Sequence, residues 1–298
     1  MASIEGRIIS LIEAKSRQQN IYNNLKSLKQ FHNYQFFTAI RGSDRKLERR
    51  GLSKGEHGLW QSVLSILDDT KNIKGNYIHL LEDDAVISDQ FFRWAENLPV
   101  KAGTAHIYFT DMWVGKQNFS QLKSISTEAK KSNKIFLVKD KGYSGCTSSW
   151  LIHKDHIPHV RSLLKHGFQE ASRARIPIDN FIRSLIYKGQ IRVKISLPFL
   201  TSICLKDQYK SSIQDSSTES ILATRLFECF LRRRLSVLSR PQDLKALQYV
   251  LNAFMTTNEI DDWIEEILIP FFERNNKYRY TLDTRLAGEP RNEQSSPH

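Results

Sequence analysis

Tyr77-Ile78-His79-Leu80-Leu81-Glu82-Asp83-Asp84-Ala85 decides the reading of this chain. Five mostly apolar residues, the length of an interior strand, run straight into three consecutive carboxylates. A strand covered on both faces reads as a continuous apolar run, because neither face is left to water. Acids at its end then lie at the carboxyl edge of a sheet, where open α/β sheets bind their ligands.

The flanking sequence builds that sheet. Ile8, Ile9 and Leu11 form a short strand, and Ile21, Leu25 and Leu28 follow at helical spacing. Phe36, Phe37, Ala39 and Ile40 form a second strand, closed by Arg41, Gly42 and a polar loop through Arg50. Ser53 and Glu56 have capping-box spacing, ahead of an apolar stripe through Leu59, Trp60, Val63, Leu64 and Leu67. Further strands are expected at Ala105–Phe109, Ile135–Val138 and Ile191–Leu197, with helices near Ser88–Asn97, Asp155–Lys165 and Pro177–Tyr187. This alternation predicts an α/β, Rossmann-like, mostly parallel sheet. After the Ser-rich stretch 211–220 the pattern turns helical, with Leu244, Leu247, Leu251 and Phe254 on one face and Ile260, Ile264, Ile267 and Phe271 on another. The expected division is a catalytic domain at 8–215, an all-helical C-terminal region at 216–288 and a disordered tail at 289–298. Ile4-Glu5-Gly6-Arg7 spells a processing-protease site used in expression vectors, so residues 1–7 are expected to be a tag outside the fold.

With 298 residues, 40% of them hydrophobic, the chain can bury a sizeable core. No apolar run approaches the roughly 18 residues that span a bilayer, and no basic-then-apolar leader opens the chain, so a cytoplasmic location is expected. Cys146, Cys204 and Cys229 are too scattered for a disulfide framework or a zinc spacing. The net charge of +12 is uneven: residues 1–217 hold 33 Lys and Arg against 20 Asp and Glu. Such a surface favours anionic partners. His153, His156 and His159 recur every third residue, but Pro158 interrupts them and separate hydrogen bonds are the expected fate of each. No Gly-x-Ser-x-Gly elbow, phosphate-binding Gly-Lys-Ser/Thr loop or dinucleotide glycine fingerprint is present, which disfavours hydrolase and ATPase readings.

Hard carboxylate oxygens suit manganese or magnesium, which would link them to a diphosphate and neutralise charge developing on it. If the chain stays extended, Glu82 and Asp84 point the same way and Asp83 points elsewhere. Asp84 and Glu82 are thus the expected metal ligands, and a solvated acidic turn is the plain alternative. Lys54 and Gly55 open a helix whose amides could assist an anion or simply be capped.

Several segments, in order, carry a resemblance. Ile9 to Ile21 with Arg17, Phe37-Thr38-Ala39-Ile40-Arg41-Gly42, Leu52-Ser53-Lys54-Gly55-Glu56-His57-Gly58, Leu80-Leu81-Glu82-Asp83-Asp84-Ala85 and Pro177-Ile178-Asp179 together resemble glycosyltransferase family 25. These are GT-A-type transferases of bacterial lipooligosaccharide and lipopolysaccharide biosynthesis. The chain departs from the family pattern at Ser62-Val63, where Ser-His is usual, and at Arg17-Gln18, where an arginine pair is common. The resemblance implies a UDP-sugar donor, galactose or glucose, transferred with inversion onto a lipooligosaccharide core. It further implies Ser10, Leu11, Ala39 and Ile40 along the nucleotide, with Arg17 and Arg41 near its phosphates and Glu82 and Asp83 in the donor site.

An inverting transfer needs a base for the acceptor hydroxyl. Asp179, at a helix start, is the expected catalytic base or else a first-turn carboxylate; Asp111 is its substitute. Tyr143 and Trp150 are expected to form the acceptor wall, since sugars stack on aromatic faces, unless they pack in the core. Leu222–Arg240 mixes Leu226, Phe230, Leu231 and Leu235 with Arg225, Arg232, Arg233, Arg234 and Arg240, the pattern of a helix resting on an anionic membrane face or docked on the catalytic domain. A nucleic-acid-binding protein, with the acids merely structural, is the alternative from another class. The acids at the end of a buried strand count against it.

Overall fold

A computed structural model describes residues 1–42, 52–69, 73–88, 90–112, 125, 128, 132, 135–143, 145–197 and 199–203. The expected helical region 216–288, the tail 289–298, the boundary near 215, the basic segment Leu222–Arg240 and Cys204 and Cys229 lie outside these residues.

The chain runs β1 (Ile4–Ser10), α1 (Lys15–Ser27), β2 (Tyr34–Thr38), α2 (Lys54–Asp68), β3 (Tyr77–Glu82), β4 (Ala85–Ile87), α3 (Gln90–Glu96), β5 (Ile107–Phe109), β6 (Phe136–Lys139), β7 (Ser149–His153), α4 (Ile157–Ala174), α5 (Ile178–Tyr187), β8 (Val193–Leu197) and β9 (Thr201–Ile203). Seven strands form one sheet in the order β2-β1-β3-β7-β5-β8-β6, and β4 pairs with β9 beside it. Five of the seven share a direction, while β7 and β6 oppose their neighbours. The fold is the expected α/β, Rossmann-like, mostly parallel sheet.

Alternation along the strands divides the core into two layers. Ile78 and Leu80 face a cluster with Trp60, Val63 and Leu67 of α2, Val160 and Leu164 of α4 and Ile182 of α5. Tyr77 and Leu81 face the other side, against Ile21 and Leu25 of α1 and Phe91 and Ala95 of α3. β3 is covered on both faces, the condition its apolar run requires.

Residues 1–7 take part in this fold, where the sequence reading left them outside it. Ile4 to Arg7 form more than half of β1, with Ile4 paired to Tyr77 and Arg7 to Leu80. Ala2 is buried, and Ser3 bonds Asn76 through both its amide and its hydroxyl, each at 3.0 Å. β1 needs this length to match β3 along its whole edge.

Three strands were not anticipated. β7 inserts antiparallel between β3 and β5. β4 and β9 are three residues each and pair across more than a hundred residues of sequence. The capping box is present in full: Ser53 Oγ accepts from the Glu56 amide at 3.3 Å, and Glu56 Oε2 accepts from the Ser53 amide at 2.9 Å.

Candidate functional site

β1 has β2 on one side and β3 on the other, and the helices that follow β1 and β2 pack on opposite faces. This reversal of winding opens a crevice at the carboxyl ends of β1 and β3. The crevice is a cavity of about 310 Å³, within the size range of small-molecule sites. Ser10, Leu11, Arg17, Ala39, Ile40, Arg41, Lys54, Gly55, Glu82, Asp83 and Asp84 all line it, with Ile9, Gly42 and Leu59. Four separate stretches of sequence therefore meet around one space. Gly58 lets them approach: a Cβ there would run into the Ile40 carbonyl, so α2 could not lie this close to the end of β2.

The three acids have different environments. Asp83 is buried and fully engaged, receiving a hydrogen bond from Ser10 Oγ at 2.6 Å and pairing with Arg17 at 3.2 Å. Gln18 ties this knot to the backbone by donating to Ser10 Oγ at 3.1 Å and to the Leu11 carbonyl at 2.9 Å. Asp83 is thus an anchor that fixes the end of β3 to the end of β1. Asp83 and Asp84 form a tight turn into β4 rather than extending the strand.

Glu82 sits among like charges. Its carboxyl is pushed up to about 8 by burial first, then by the charges of Asp84, Asp83 and Asp179, with Arg17 opposing. Crowding carboxylates beyond what nearby cations offset is costly unless a ligand supplies positive charge. Among the described residues no three His, Cys, Asp or Glu side chains are grouped as a metal cage. A magnesium or manganese ion shared with a diphosphate needs only one or two protein carboxylates. Glu82 and Asp84 fit that requirement.

Asp179 lies in the first turn of α5, outside the crevice lining but near enough to act electrostatically on Glu82. Its Oδ1 accepts from the Asn180 amide at 2.7 Å and its Oδ2 from the Cys146 amide at 3.2 Å. Arg41, at the crevice mouth, is paired with Glu13, a residue the sequence did not single out. Its only sequence signal was a charge in the loop after β1.

Other expectations are corrected. Tyr143 and Trp150 are only 2% and 1% exposed. Both stack on Phe109, at 4.2 and 6.1 Å between centroids, so neither offers a face to a sugar. Asp111 is also buried, outside the crevice lining, where it accepts from the Met112 amide at 2.8 Å and from Ser148 Oγ at 3.2 Å. It holds the chain at the end of β5 rather than standing in as a base. The two departures from the family pattern have local duties. Gln18 braces Ser10, and Val63 packs in the buried core, next to Ser62, whose Oγ accepts from the Ile40 amide at 2.8 Å while donating to the Gly58 carbonyl at 2.7 Å. His153, His156 and His159 each bond a different backbone carbonyl, those of Val100, Gly103 and Gln190.

No protein family matches the chain. No curated protein matches it in sequence. Solved structures with a similar fold include a glycosyltransferase involved in glycosylation of the major capsid of PBCV-1, 10% identical, covering 55% of this chain and 66% of that one at a TM-score of 0.32. Another is glucosyl-3-phosphoglycerate synthase from Mycobacterium tuberculosis in complex with Mn2+, uridine diphosphate and glucosyl-3-phosphoglycerate, 9% identical, covering 58% and 67% at 0.30. A third is a mannosyltransferase from Pyrobaculum calidifontis in complex with GDP-Man and Mn2+, 10% identical, covering 92% and 76% at 0.35. The chain spans just under two thirds of the first of these. At such scores, the crevice's own geometry has to carry the chemistry.

Proposed function

We propose that this chain is a GT-A glycosyltransferase that moves a hexose, galactose, from a UDP-sugar to a lipooligosaccharide core acceptor, with inversion and with manganese or magnesium as its metal. The observation that carries the reading is the charge arrangement of the crevice. Glu82 and Asp84 line the cavity with the charge of Asp179 acting on Glu82 from beside it, while Arg17, Arg41 and Lys54 line the same cavity. A metal diphosphate answers both halves, its ion offsetting the acids and its phosphates meeting the cations. Galactose, the lipooligosaccharide acceptor and inversion rest on the family resemblance alone.

In the proposed displacement, the acceptor hydroxyl oxygen bonds to the anomeric carbon as the bond from that carbon to the diphosphate breaks, its electron pair leaving with the diphosphate. Asp179 takes the hydroxyl proton. Arg41 releases Glu13 to meet a phosphate, and Lys54 and Gly55 present the start of α2 to the same anion. Asp83 holds β1 and β3 in register so that the two sides of the cavity keep their spacing. A bound divalent ion at Glu82 and Asp84 would supply Lewis-acid stabilisation of the leaving group.

A lipid-linked acceptor would suit a cytoplasmic enzyme lying peripherally at the inner face of a membrane, and no described helix is long and apolar enough to cross one. A nucleic-acid strand entering the crevice would meet carboxylates, which disfavours that alternative. The test is calorimetric binding of uridine diphosphate with and without manganese. The parent is expected to bind in a metal-dependent way, and Asp84→Ala to lose the metal-dependent part, roughly 100-fold or more in affinity. A folded parent that binds no uridine diphosphate would sink the reading.

A further inference from the structure

Gly145 to Ser148, where the chain bends ahead of β7, contacts three acidic residues: Asp179 of α5, Glu82 at the end of β3 and Asp111 just past β5. Cys146 has a φ of 81°, a left-handed conformation costly for a residue with a side chain, and Gly145 precedes it at 149°. The Cys146 amide donates to Asp179 Oδ2 at 3.2 Å. At the other end of the turn, the Ser148 carbonyl accepts from the Glu82 amide at 2.9 Å, and Ser148 Oγ donates to Asp111 at 3.2 Å. Tyr143, stacked on Phe109, clamps the turn from below by donating to the Cys146 carbonyl at 3.1 Å. One short piece of chain thus grips both the start of α5 and the end of β3.

We infer that this turn is a positioning device for the reaction: the Cys146 amide, aimed by the left-handed backbone, holds the Asp179 carboxylate in one orientation, within electrostatic reach of Glu82. The inference rests on the reading of Asp179 as the base. Without that amide, the hydrogen bond from the amide of its own neighbour, Asn180, is what holds the Asp179 side chain among the described residues. The backbone amide holds Asp179, whereas the thiol bonds Ser148 Oγ at 3.2 Å and is dispensable to the positioning. Gly145 is not: a Cβ there would lie 3.1 Å from Asp179 Oδ2, on a backbone that L side chains rarely adopt. A displaced carboxylate no longer receives the proton in line with attack, and misplacement of about 1 Å can cost roughly 100-fold in rate.

The test follows uridine diphosphate release from UDP-galactose, with manganese and a lipooligosaccharide core acceptor, in Gly145→Ala, Cys146→Gly, Asp179→Asn and the Gly145→Ala/Asp179→Asn pair. Asp179→Asn is expected to lower kcat about 100-fold or more. Gly145→Ala should lower kcat roughly 10- to 100-fold, with the donor KM within about twofold of the parent. In the Asp179→Asn background the same Gly145→Ala change should cost less than about threefold, since it acts through a carboxylate that is already gone. Cys146→Gly keeps the amide, suits the left-handed φ and should stay within about threefold of the parent. Full additivity of the pair, or an unchanged kcat in folded Gly145→Ala, overturns the positioning role while leaving the base in place. If Gly145→Ala fails to fold, Cys146→Gly decides: a folded variant as slow as Asp179→Asn makes the thiol the actor and overturns the inference. Full activity in Asp179→Asn, or an inactive parent, overturns the reading on which it rests.

Discussion

The sheet holds two polar groupings a few residues apart, one buried and one half-buried, and they are built on opposite terms. Inside it, His79 shares hydrogen bonds with Tyr34 at 2.7 Å and Ser149 at 2.8 Å; Ser149 passes the chain to Thr110 at 2.7 Å, and Thr110 passes it to Thr201 at 2.9 Å. Every member has a neutral partner. At the carboxyl edge, burial first and then the charges of Asp84, Asp83 and Asp179 raise the Glu82 carboxyl to about 8. The first grouping fixes the core; the second stores repulsion that only a cation or a proton relieves. Where polar groups satisfy one another the role is structural, and where they strain against one another a ligand is implied.

Asp83 is the sharpest probe of that contrast, because it belongs to the crowded edge in sequence and to the satisfied class in geometry. Asp83→Ala strands the Arg17 guanidinium, only 14% exposed, and frees Ser10. Removing one partner of a buried pair costs roughly 3–5 kcal/mol, and urea unfolding should register that loss. A change below about 1 kcal/mol would break the comparison, making Asp83 one more strained acid.

Glu82→Gln should behave in the opposite way. With its carboxyl raised from 4.5 to about 8, the folded state binds more protons than the unfolded one between those values, so the parent loses stability as pH rises through that window. The glutamine variant lacks that loss. At pH 9 its melting temperature should exceed the parent's by roughly 5–10 °C, while metal-dependent uridine diphosphate binding weakens.

His79 titrates with the reverse sign. Burial lowers its pKa from 6.5 to about 3, so the unfolded state binds the extra proton in that window and stability falls as pH drops through it. His79→Phe should flatten the acid side of the stability profile. At neutral pH it should cost roughly 1–3 kcal/mol, because Tyr34 and Ser149 lose their partner.

The contrast also explains what could be read from the sequence. The apolar run into Glu82-Asp83-Asp84, the Ser53-Glu56 spacing and the ends of the first two strands are local patterns, and the residues they mark are those that line the crevice. The misses are non-local. β7 reads Ser-Trp-Leu-Ile-His, and only its placement between β3 and β5 makes it a strand buried throughout. Trp150 and Tyr143 beside a glycine-rich loop look like a sugar platform, yet both rings lie against Phe109. Ile4-Glu5-Gly6-Arg7 spells a protease site in letters and a strand in register with β3. Glu82 and Asp179 are nearly a hundred residues apart, and no spacing announces their encounter.

The smallest expected effect tests whether a local signal can serve both classes at once. Ser53 and Glu56 cap α2 reciprocally, and the next two residues, Lys54 and Gly55, line the crevice. Ser53→Ala removes the acceptor for the Glu56 amide but leaves the Glu56 carboxylate on the backbone of residue 53. A cost of about 1 kcal/mol follows, a shift of roughly 2–4 °C in a domain of this size. If the cap only stabilises the helix, uridine diphosphate affinity with manganese stays within about twofold of the parent. If the first turn of α2 also cradles the diphosphate, as the cavity lining supports, its fraying lowers affinity in step with the melting temperature, and a second stabilising change elsewhere restores the latter without the former. That split would place Ser53 on the strained side of the comparison, a residue whose satisfied geometry exists to hold a binding surface in shape.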